Sequence, residues 1–407
     1  MRARTGRRPG PTDRGALLPA GPDLSAAKDA AAELAEGGIG RPGRPPGGRR
    51  AIGSSLAAML TRSPWWRRHP IVTLLVRRLV AGVLLVLGVT VVAFVLTNLV
   101  PGDPAAAALG QQAINDPEIV ANFRRQNGLD RPIWVRFFVY LGHLIHGDLG
   151  TSLVTRQPVS TDLRTYLPAT IELALMSIVI SLVVGVGLGL LAALSRNRWP
   201  DGLIRILSLI GVSVPTFWLA LTAVLLISVK LDWLPTNGQL DPTLDLPTAH
   251  TGMVLVDALL DGDWSTFTNG LSHIILPALV LAAYTVGLIT RFTRASVLEV
   301  LGNDYIRAAR AKGLPGRTVI LRHVMRPALI PIITVSGLAF GSLLSGTVLV
   351  EQIFSWPGIG QYAFKASIGL DLPAVMGVSI VIAVIYIIVN LLVDLLYGIV
   401  DPRIRQT

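Results

Sequence analysis

Residues that could do chemistry are few in this 407-residue sequence, and their spacing matches no catalytic motif. A P-loop needs a lysine directly after a glycine, because the loop's N–H groups and that lysine hold the phosphates of ATP together. None of the four lysines follows a glycine: Lys28, Lys230, Lys312 and Lys365. We therefore predict that this chain has no P-loop ATP site.

Hydrolytic and metal chemistry is equally unsupported. The sequence contains no cysteine, no HExxH zinc motif and no GxSxG nucleophile turn. His143 and His146 are spaced to share one helical face, but a single histidine pair is a weak metal signal. We predict no catalytic, cofactor-binding or metal-binding residue, and we expect a protein that is not an enzyme.

The composition is typical of a membrane protein. Hydrophobic residues make up 51% of the chain and charged residues 15%, whereas soluble domains carry about 25% charged residues. A helix of about 20 apolar residues crosses the roughly 30 Å hydrocarbon core of a bilayer. Six uncharged runs reach that length: 79–100, 173–195, 206–229, 264–290, 327–350 and 372–393. We predict that they form six transmembrane helices.

The positions of lysine and arginine predict the orientation of these helices. Of the 36 basic residues, 28 lie in four segments: 1–78, 196–205, 291–326 and 398–407. Loops rich in lysine and arginine stay on the cytoplasmic side, so we predict that both termini are cytoplasmic. Most of the net charge of +11 is explained in this way, and no nucleic-acid partner is predicted.

Titratable residues are missing from the middle of the six runs. Ion-coupled carriers usually hold such residues at depth, so a secondary carrier is disfavoured. Glu172 lies near the outer end of the second run, where it either meets the positive end of a substrate or, as we favour, is an interfacial carboxylate reached by water. Asp394, at the inner end of the sixth run, is expected to pair with a basic residue.

Residues 1–70 are predicted to be a disordered, basic cytoplasmic extension. The run RPGRPPGGRR (41–50) has no apolar period and is typical of a linker. Such a tail either touches anionic lipid headgroups or, as we favour, is dispensable. Met59 offers an alternative start, so residues 1–58 are expected to be unnecessary for function.

The loop between the fourth and fifth runs carries the most informative pattern. Its stretch NDYIRAARAKGLP predicts a short helix whose start Asn303 or Asp304 caps. Gly313 is expected to end the helix in the left-handed conformation, and Pro315 prevents continuation. Such a helix either docks into a partner's groove or belongs to an ordinary basic loop. Three small side chains would let a partner approach closely: Ala308, Ala309 and Ala311.

The same stretch resembles the EAA-type loop of ABC importer permeases. In RAARAKG, Ala308, Ala309 and Gly313 hold the Ala-Ala and Gly positions, and Arg307 replaces the glutamate. Other stretches between about residue 71 and the end resemble the first permease subunit of oligopeptide- and dipeptide-type ABC importers. They are LVPGDP (99–104), LDRPIWVRFFVYLGHLIHGDLGTSL (129–153), LPATIELAL (167–175), VSVPTFWLAL (212–221), RPALIPIITV (326–335), VEQIFSWPGIG (350–360) and NLLVDLLYGIVDPRIR (390–405).

The resemblance implies an all-α membrane protein with six transmembrane helices, the type I ABC importer permease fold and a cytoplasmic coupling helix. Residues 71–167 would form the first transmembrane helix and a long extracytoplasmic loop, residues 168–397 the permease core, and residues 398–407 a cytoplasmic tail. The residues that would couple this chain to an ATPase are Asp304, Tyr305, Arg307, Ala308, Ala309, Arg310, Lys312 and Gly313.

The resemblance also implies partners and cargo. The partners would be a second, homologous permease, two ATPase subunits or one fused ATPase that hold ATP and Mg²⁺, and an extracytoplasmic solute-binding protein. All would work at a bacterial plasma membrane. The expected cargo is di- or oligopeptides, with nickel, a sugar or another small solute as alternatives. An ATP-independent channel or carrier and a scaffold without a transport path are the competing classes.

A few further residues are predicted to shape or line the pathway. Pro215 should kink the third helix. Two GxxxG pairs allow close helix contacts, and packing is the favoured role over pathway lining: Gly185 with Gly189, and Gly337 with Gly341. The long outer loop 101–171 is expected to be a docking surface for the solute-binding protein. Its apolar stretch 134–145 either lies at the membrane surface or packs on the protein itself.

Overall fold

The computed structural model describes residues 70–99, 116–126, 128 and 130–400. The predicted extension before Pro70, most of LVPGDP and residues 401–407 of the predicted tail lie outside the described residues. Secondary structure in the described part is helical, apart from an isolated β-bridge between Thr151 and Pro158.

The helices follow one another in a simple order. They are α1 (Pro70–Leu99), α2 (Pro117–Gln126), α3 (Ile133–Ile145), α4 (Val159–Leu194), α5 (Trp199–Ser213), α6 (Thr216–Ala223), α7 (Val254–Asp261), α8 (Trp264–Leu301), α9 (Asp304–Ala311), α10 (Gly316–Thr318), α11 (Met325–Ile353), α12 (Ile359–Ile368) and α13 (Leu372–Val400). Helix α6 continues as a π-helical stretch, Val224–Lys230, and a second π-helical stretch, Val319–Val324, joins α10 to α11.

Five helical segments of the described chain are long and apolar enough to cross a membrane, and a sixth is a broken pair. The five lie in α1, α4, α8, the α10–α11 segment and α13, and the pair is α5 with α6. Five of the six predicted runs therefore fall within helices apart from single end residues, and the third run, 206–229, is interrupted at Val214 and Pro215.

The third predicted span is more strongly deformed than the expected kink. Helix α5 ends at Ser213, Pro215 occupies the cap before α6, and the two axes differ by 102°. Proline has no N–H to donate and disfavours the helical conformation for the residue before it. Here Val214 is extended, with φ −79° and ψ 127°. The α-helix is interrupted here rather than bent.

Several helices are longer than the uncharged runs that predicted them. Helix α4 begins at Val159, well before the run at 173, and passes through Pro168. The expected boundary between residues 167 and 168 therefore falls inside a continuous helix. Helix α8 continues from the end of its run at 290 to Leu301, and α13 continues from the end of its run at 393 to Val400.

Helix α8 is the centre of the described bundle, where it packs against α4, α5 and α11. Close approach to α4 is possible because Gly189 lacks a side chain: a Cβ there would lie 2.6 Å from the Cβ of Thr293 and 2.8 Å from the Thr290 carbonyl oxygen. The bulk of the core around these helices includes Leu173, Ile274, Leu276, Leu281 and Trp356.

The apolar helix α3 packs on the chain's own first span. The ring of Phe94 in α1 lies 5.3 Å from the ring of Phe137 and 6.2 Å from that of Tyr140. No side chain of α3 is fully buried, and Phe138 stays exposed. One side of α3 therefore contacts α1, while another apolar side remains open.

Candidate functional site

The short helix α9 is present where the sequence predicts it, and its C-terminal end is tightly closed. Gly313 has a φ of +77°, the left-handed conformation that glycine adopts without strain. The Gly313 N–H donates to the Arg310 carbonyl at 2.9 Å, and the Leu314 N–H donates to the Ala309 carbonyl at 3.4 Å. These two bonds form a Schellman motif, which confirms the predicted role of Gly313 as the terminating residue.

The start of α9 differs from the prediction. Asn303 has the extended backbone of a capping residue, yet its side chain accepts no backbone N–H. The Asp304 carboxylate instead contacts the Arg307 guanidinium, one turn along the exposed side of the helix. The predicted side-chain cap is therefore wrong, because ion pairing occupies the nearby carboxylate.

Helix α9 is anchored to the spanning helices by a buried side. Ile306 is fully buried and Ala309 is 8% exposed. Burial of an isoleucine side chain stabilises this attachment by about 1.5–3 kcal/mol. Both residues belong to an apolar group, the inner cluster, which also contains Ala193, Val297, Val300, Val319, Val324 and Ala328. Helix α9 therefore shares its buried side with residues of α4, α8 and α11.

The opposite side of α9 and the two residues after it are exposed and carry three basic side chains and one acidic side chain. The exposed residues are Asp304, Tyr305, Arg307, Ala308, Arg310, Ala311, Lys312 and Gly313. Ala309 is absent from this set, which corrects the expectation that it offers a small surface to a partner. Its place on the buried side follows from helical spacing, since it lies three residues after Ile306.

A buried ion pair, missed at the sequence level, braces the region next to α9. The Asp201 carboxylate at the start of α5 accepts two hydrogen bonds from the Arg294 guanidinium in α8, at 2.7 and 2.9 Å. The Asp201 side chain is 1% exposed, and it also accepts the Asn197 N–H at 3.1 Å. Such bidentate pairs fix geometry as well as charge. Only the tertiary fold brings these residues together, because they are 93 positions apart.

Glu172 is buried rather than reached by water, so the favoured sequence interpretation is wrong. It is 5% exposed, and its Oε1 accepts the Leu255 N–H at 2.7 Å. Leu255 lies in the first turn of α7, where unpaired N–H groups favour a carboxylate. Glu172 therefore fastens helix α7 to α4.

A second buried carboxylate holds the WPGIG turn (356–360) against α4. Glu351 in α11 accepts the Thr170 hydroxyl at 2.7 Å and the Gln361 N–H at 2.9 Å. A Cβ on Gly360 would lie 2.8 Å from the Glu351 Oε2, so this turn needs a glycine for the close approach. The Trp356 indole N–H donates to the Ala169 carbonyl at 2.9 Å.

The remaining predicted residues lie at helix contacts or at the break. Gly185 faces Ile289 of α8, and a Cβ added to Gly185 would lie 2.9 Å from the Ile289 Cγ2. Gly337 and Gly341 of α11 face α13, where Val393 and Tyr386 cover them. Pro215 is exposed at the break between α5 and α6. All four glycines thus occupy close helix crossings.

Within the described residues, no group of three His, Cys, Asp or Glu side chains is arranged to hold a metal ion. His143 and His146 use their Nδ1 atoms for different local partners. The first lies 3.0 Å from the Asp148 carboxylate and the second 2.8 Å from the Gly142 carbonyl oxygen.

Comparison with known families decides the class of this fold. Residues 185–406 match the family described as "Binding-protein-dependent transport system inner membrane component", and residues 71–174 match the corresponding N-terminal family. The chain belongs to this family of membrane transport components. The predicted family resemblance and the all-α permease fold are confirmed, and the chain is a multi-pass membrane component.

Curated relatives of this transport component cover most of the chain. The "Probable D,D-dipeptide transport system permease protein DdpB" of Escherichia coli K12 is 49% identical over 324 residues, which is 80% of this chain and 95% of that protein. The dipeptide permease DppB of Alkalihalophilus pseudofirmus is 41% identical over 329 residues, 81% of this chain and 98% of that protein. A chain of the inward-facing MetNI methionine ABC transporter gives a TM-score of 0.44 at 15% identity, covering 57% of this chain and 93% of that chain.

Proposed function

We propose that this chain is a permease subunit of an ATP-driven importer that carries di- and oligopeptides. The observation that carries this proposal is that the chain is 40–49% identical to three dipeptide permeases and covers 95–98% of their length. Similarity that continues from the first span to the last supports a shared transport path as well as a shared fold. A solute-binding protein delivers the peptide from the outer side.

In this proposal the exposed side of α9 is the surface that meets an ATPase subunit. The basic side chains of Arg307, Arg310 and Lys312 point away from the bundle, while Ile306 and Ala309 fix the helix to it. A helix with one bound side and one free side can transmit force between two bodies. ATP and Mg²⁺ belong to the ATPase subunits, which the missing P-loop in this chain supports.

The ion pair between Asp201 and Arg294 makes the coupling stiff. Arg294 lies two turns before the end of α8, and α8 leads directly into α9. A push on α9 is therefore passed to α8 and, through Asp201, to the start of α5. The third span would then follow the ATPase between inward and outward openings of the path, which is a shift between two global states.

The proposed orientation places α9 and both termini in the cytoplasm. The basic residues of 291–326 support this side, because loops rich in lysine and arginine remain cytoplasmic. The long segment 101–171, helix α7 and the WPGIG turn then face the binding protein outside. Glu172 and Glu351 keep this outer surface in one shape, since each joins two elements.

Transport assays with the complete assembly test the proposal. Liposomes would contain this chain, the second permease and the ATPase subunits. The binding protein and a labelled dipeptide would be added on the side of the membrane where the binding protein docks. We expect uptake that needs both ATP and the binding protein. Uptake by this chain alone without ATP would favour a channel or carrier, and ATP-driven uptake of Ni²⁺ or a sugar instead of peptides would contradict the cargo.

A further inference from the structure

The break between α5 and α6 lies deep in the membrane-spanning bundle. Gly211, in the last turn of α5, packs on α8 so closely that a Cβ would lie 2.8 Å from the Ala283 carbonyl oxygen. Ala283 is midway along α8, which runs from Trp264 to Leu301 and crosses the membrane. Non-helical backbone is therefore present at a depth where water is normally absent.

The break leaves polar groups without partners. Pro215 has no N–H to give to the Gly211 carbonyl, which would otherwise be its acceptor in a continuous helix. Among the described residues, the hydroxyls of Ser213 and Thr216 make no hydrogen bond. Three hydroxyls in unbroken helical turns, those of Ser208, Thr285 and Ser336, donate to the carbonyl four residues earlier. The buried hydroxyls of Thr290 and Thr293 in α8 have no partner either, so what distinguishes the break is that its unpartnered groups lie at an open surface.

These groups lie at an open surface of the chain. Ser213 and Pro215 are exposed, and the aromatic side chains that follow, Phe217 and Trp218, are 48% and 54% exposed. Lipid tails offer neither donors nor acceptors, so irregular backbone at this depth occurs only where protein covers it or where it lines a water-filled cavity.

We propose that the segment 211–218 lines the water-filled path through which the solute crosses the membrane. This inference rests on the proposed transport function and names the part of the chain that touches the cargo. The unpartnered carbonyl and hydroxyls suit the amide groups of a short peptide, and Phe217 and Trp218 offer apolar contact to its side chains. Because Asp201 begins α5, the ATPase-driven motion of α9 and α8 reaches this segment directly.

Thiol labelling tests this placement. Because the chain has no cysteine of its own, any label found on it after separation from the other subunits is on the introduced residue. Ser213→Cys would be made in the complete assembly and treated with a charged, membrane-impermeant methanethiosulfonate. The matched control is Leu84→Cys, an exposed position in the middle of the span Arg78–Leu96 of α1. Labelling would be measured without nucleotide and with ATP plus vanadate.

We expect Ser213→Cys to react more than about tenfold faster than Leu84→Cys in at least one of the two states, because each unit by which an apolar environment raises a thiol pKa lowers the reactive thiolate about tenfold. Thr216→Cys serves as the second variant if Ser213→Cys fails to assemble. Equal, slow labelling of both positions in both states would overturn the proposal and indicate that the second permease covers the break. Labelling needs no transported peptide, so a wrong cargo would leave this result intact.

Discussion

Arg78 on α1 and Asp394 on α13 form an ion pair that joins the first spanning helix to the last. The Arg78 Nε lies 2.5 Å from the Asp394 Oδ2, and Nη2 lies 2.8 Å from Oδ1. One turn further into the membrane, a Cβ on Gly82 would lie 3.0 Å from Ile387, so the same two helices are also in close contact. The basic partner expected for Asp394 is thus Arg78, 316 positions away.

Removal of this pair should loosen α1 from the bundle. The Arg78 side chain is 51% exposed, so we expect Asp394→Asn to cost about 1 kcal/mol or less, as for other exposed pairs. The measurement is the Tm of the purified assembly. The double variant Arg78→Asp/Asp394→Arg should be more stable than the summed losses of its two single variants, Arg78→Asp and Asp394→Arg, predict. A loss equal to that sum would argue against the pair.

Gly313 should be needed for the shape of α9 rather than for insertion of the chain. Gly313→Ala puts a side chain at φ +77°, which costs about 1–2 kcal/mol. We expect the last turn of α9 to fray, so that ATP hydrolysis continues while peptide uptake per ATP falls. Gly316→Ala is the matched control in the same loop, because a Cβ there has open space and the backbone φ is ordinary. Equal losses in both variants would contradict the C-cap explanation.

Two neighbouring alanines should respond differently to the same substitution. Ala309→Glu forces a carboxylate into the inner cluster, and an unpaired buried charge is strongly destabilising. We expect a lower Tm of the assembly. Ala308→Glu changes only the exposed side of α9, so the Tm should stay the same while capture of the ATPase subunits weakens. Identical Tm values for the two variants would show that α9 is not attached through Ala309.

The pair between Asp201 and Arg294 should matter far more than the other arginine near the same carboxylate. Arg294→Met leaves a buried Asp201 without its bidentate partner, which typically costs about 3–5 kcal/mol. Arg205 lies 3.7 Å from Asp201 with its side chain 60% exposed, so Arg205→Met should cost about 1 kcal/mol or less. Thermal unfolding compares the two. Adding Asp201→Asn to Arg294→Met should recover stability, and no recovery would mean that packing, not charge, explains the loss.

Hydropathy predicts the spans of this fold because bilayer thickness sets a minimum apolar length. It misplaces helix ends because a charged residue ends an uncharged run even where the helix itself continues into water. Helix α8 continues past the exposed Arg291, which ends its run, and past Arg294, which is paired with Asp201. Pro215 predicts a disturbed helix, but the angle of 102° depends on packing of α6 against α8 and α11, which no local pattern contains.

The candidate site could be predicted from the sequence only in part, because some of its residues depend on contacts with distant parts of the chain. The left-handed Gly313 follows from local sequence, since only the chain near it decides the conformation. The buried state of Glu172 depends on Leu255, 83 positions away. The burial of Ala309 could have been found, because Ile306 three residues earlier marks an apolar side of an otherwise polar helix.

The loop before α7 should lose stability in acid. Burial raises the pKa of Asp257, but hydrogen bonds from the Thr251 hydroxyl, the Thr251 N–H and the Gly252 N–H outweigh it and hold the pKa below the usual aspartate value. These bonds measure 2.7, 2.8 and 2.9 Å. A carboxyl group with a lowered folded-state pKa stabilises the fold above its unfolded pKa, and this contribution is lost as the pH falls through the folded value.

Hydrogen exchange of the Gly252 amide measures this effect directly. We expect its protection factor, corrected for the intrinsic rate at each pH, to be constant near neutral pH and to fall once the pH drops below the usual aspartate range. In Asp257→Asn the protection should be low already at neutral pH and should no longer change with pH. Asp245→Asn, an exposed aspartate in the same loop, is the control and should keep the behaviour of the natural chain. Unchanged protection in Asp257→Asn would show that another group holds the loop.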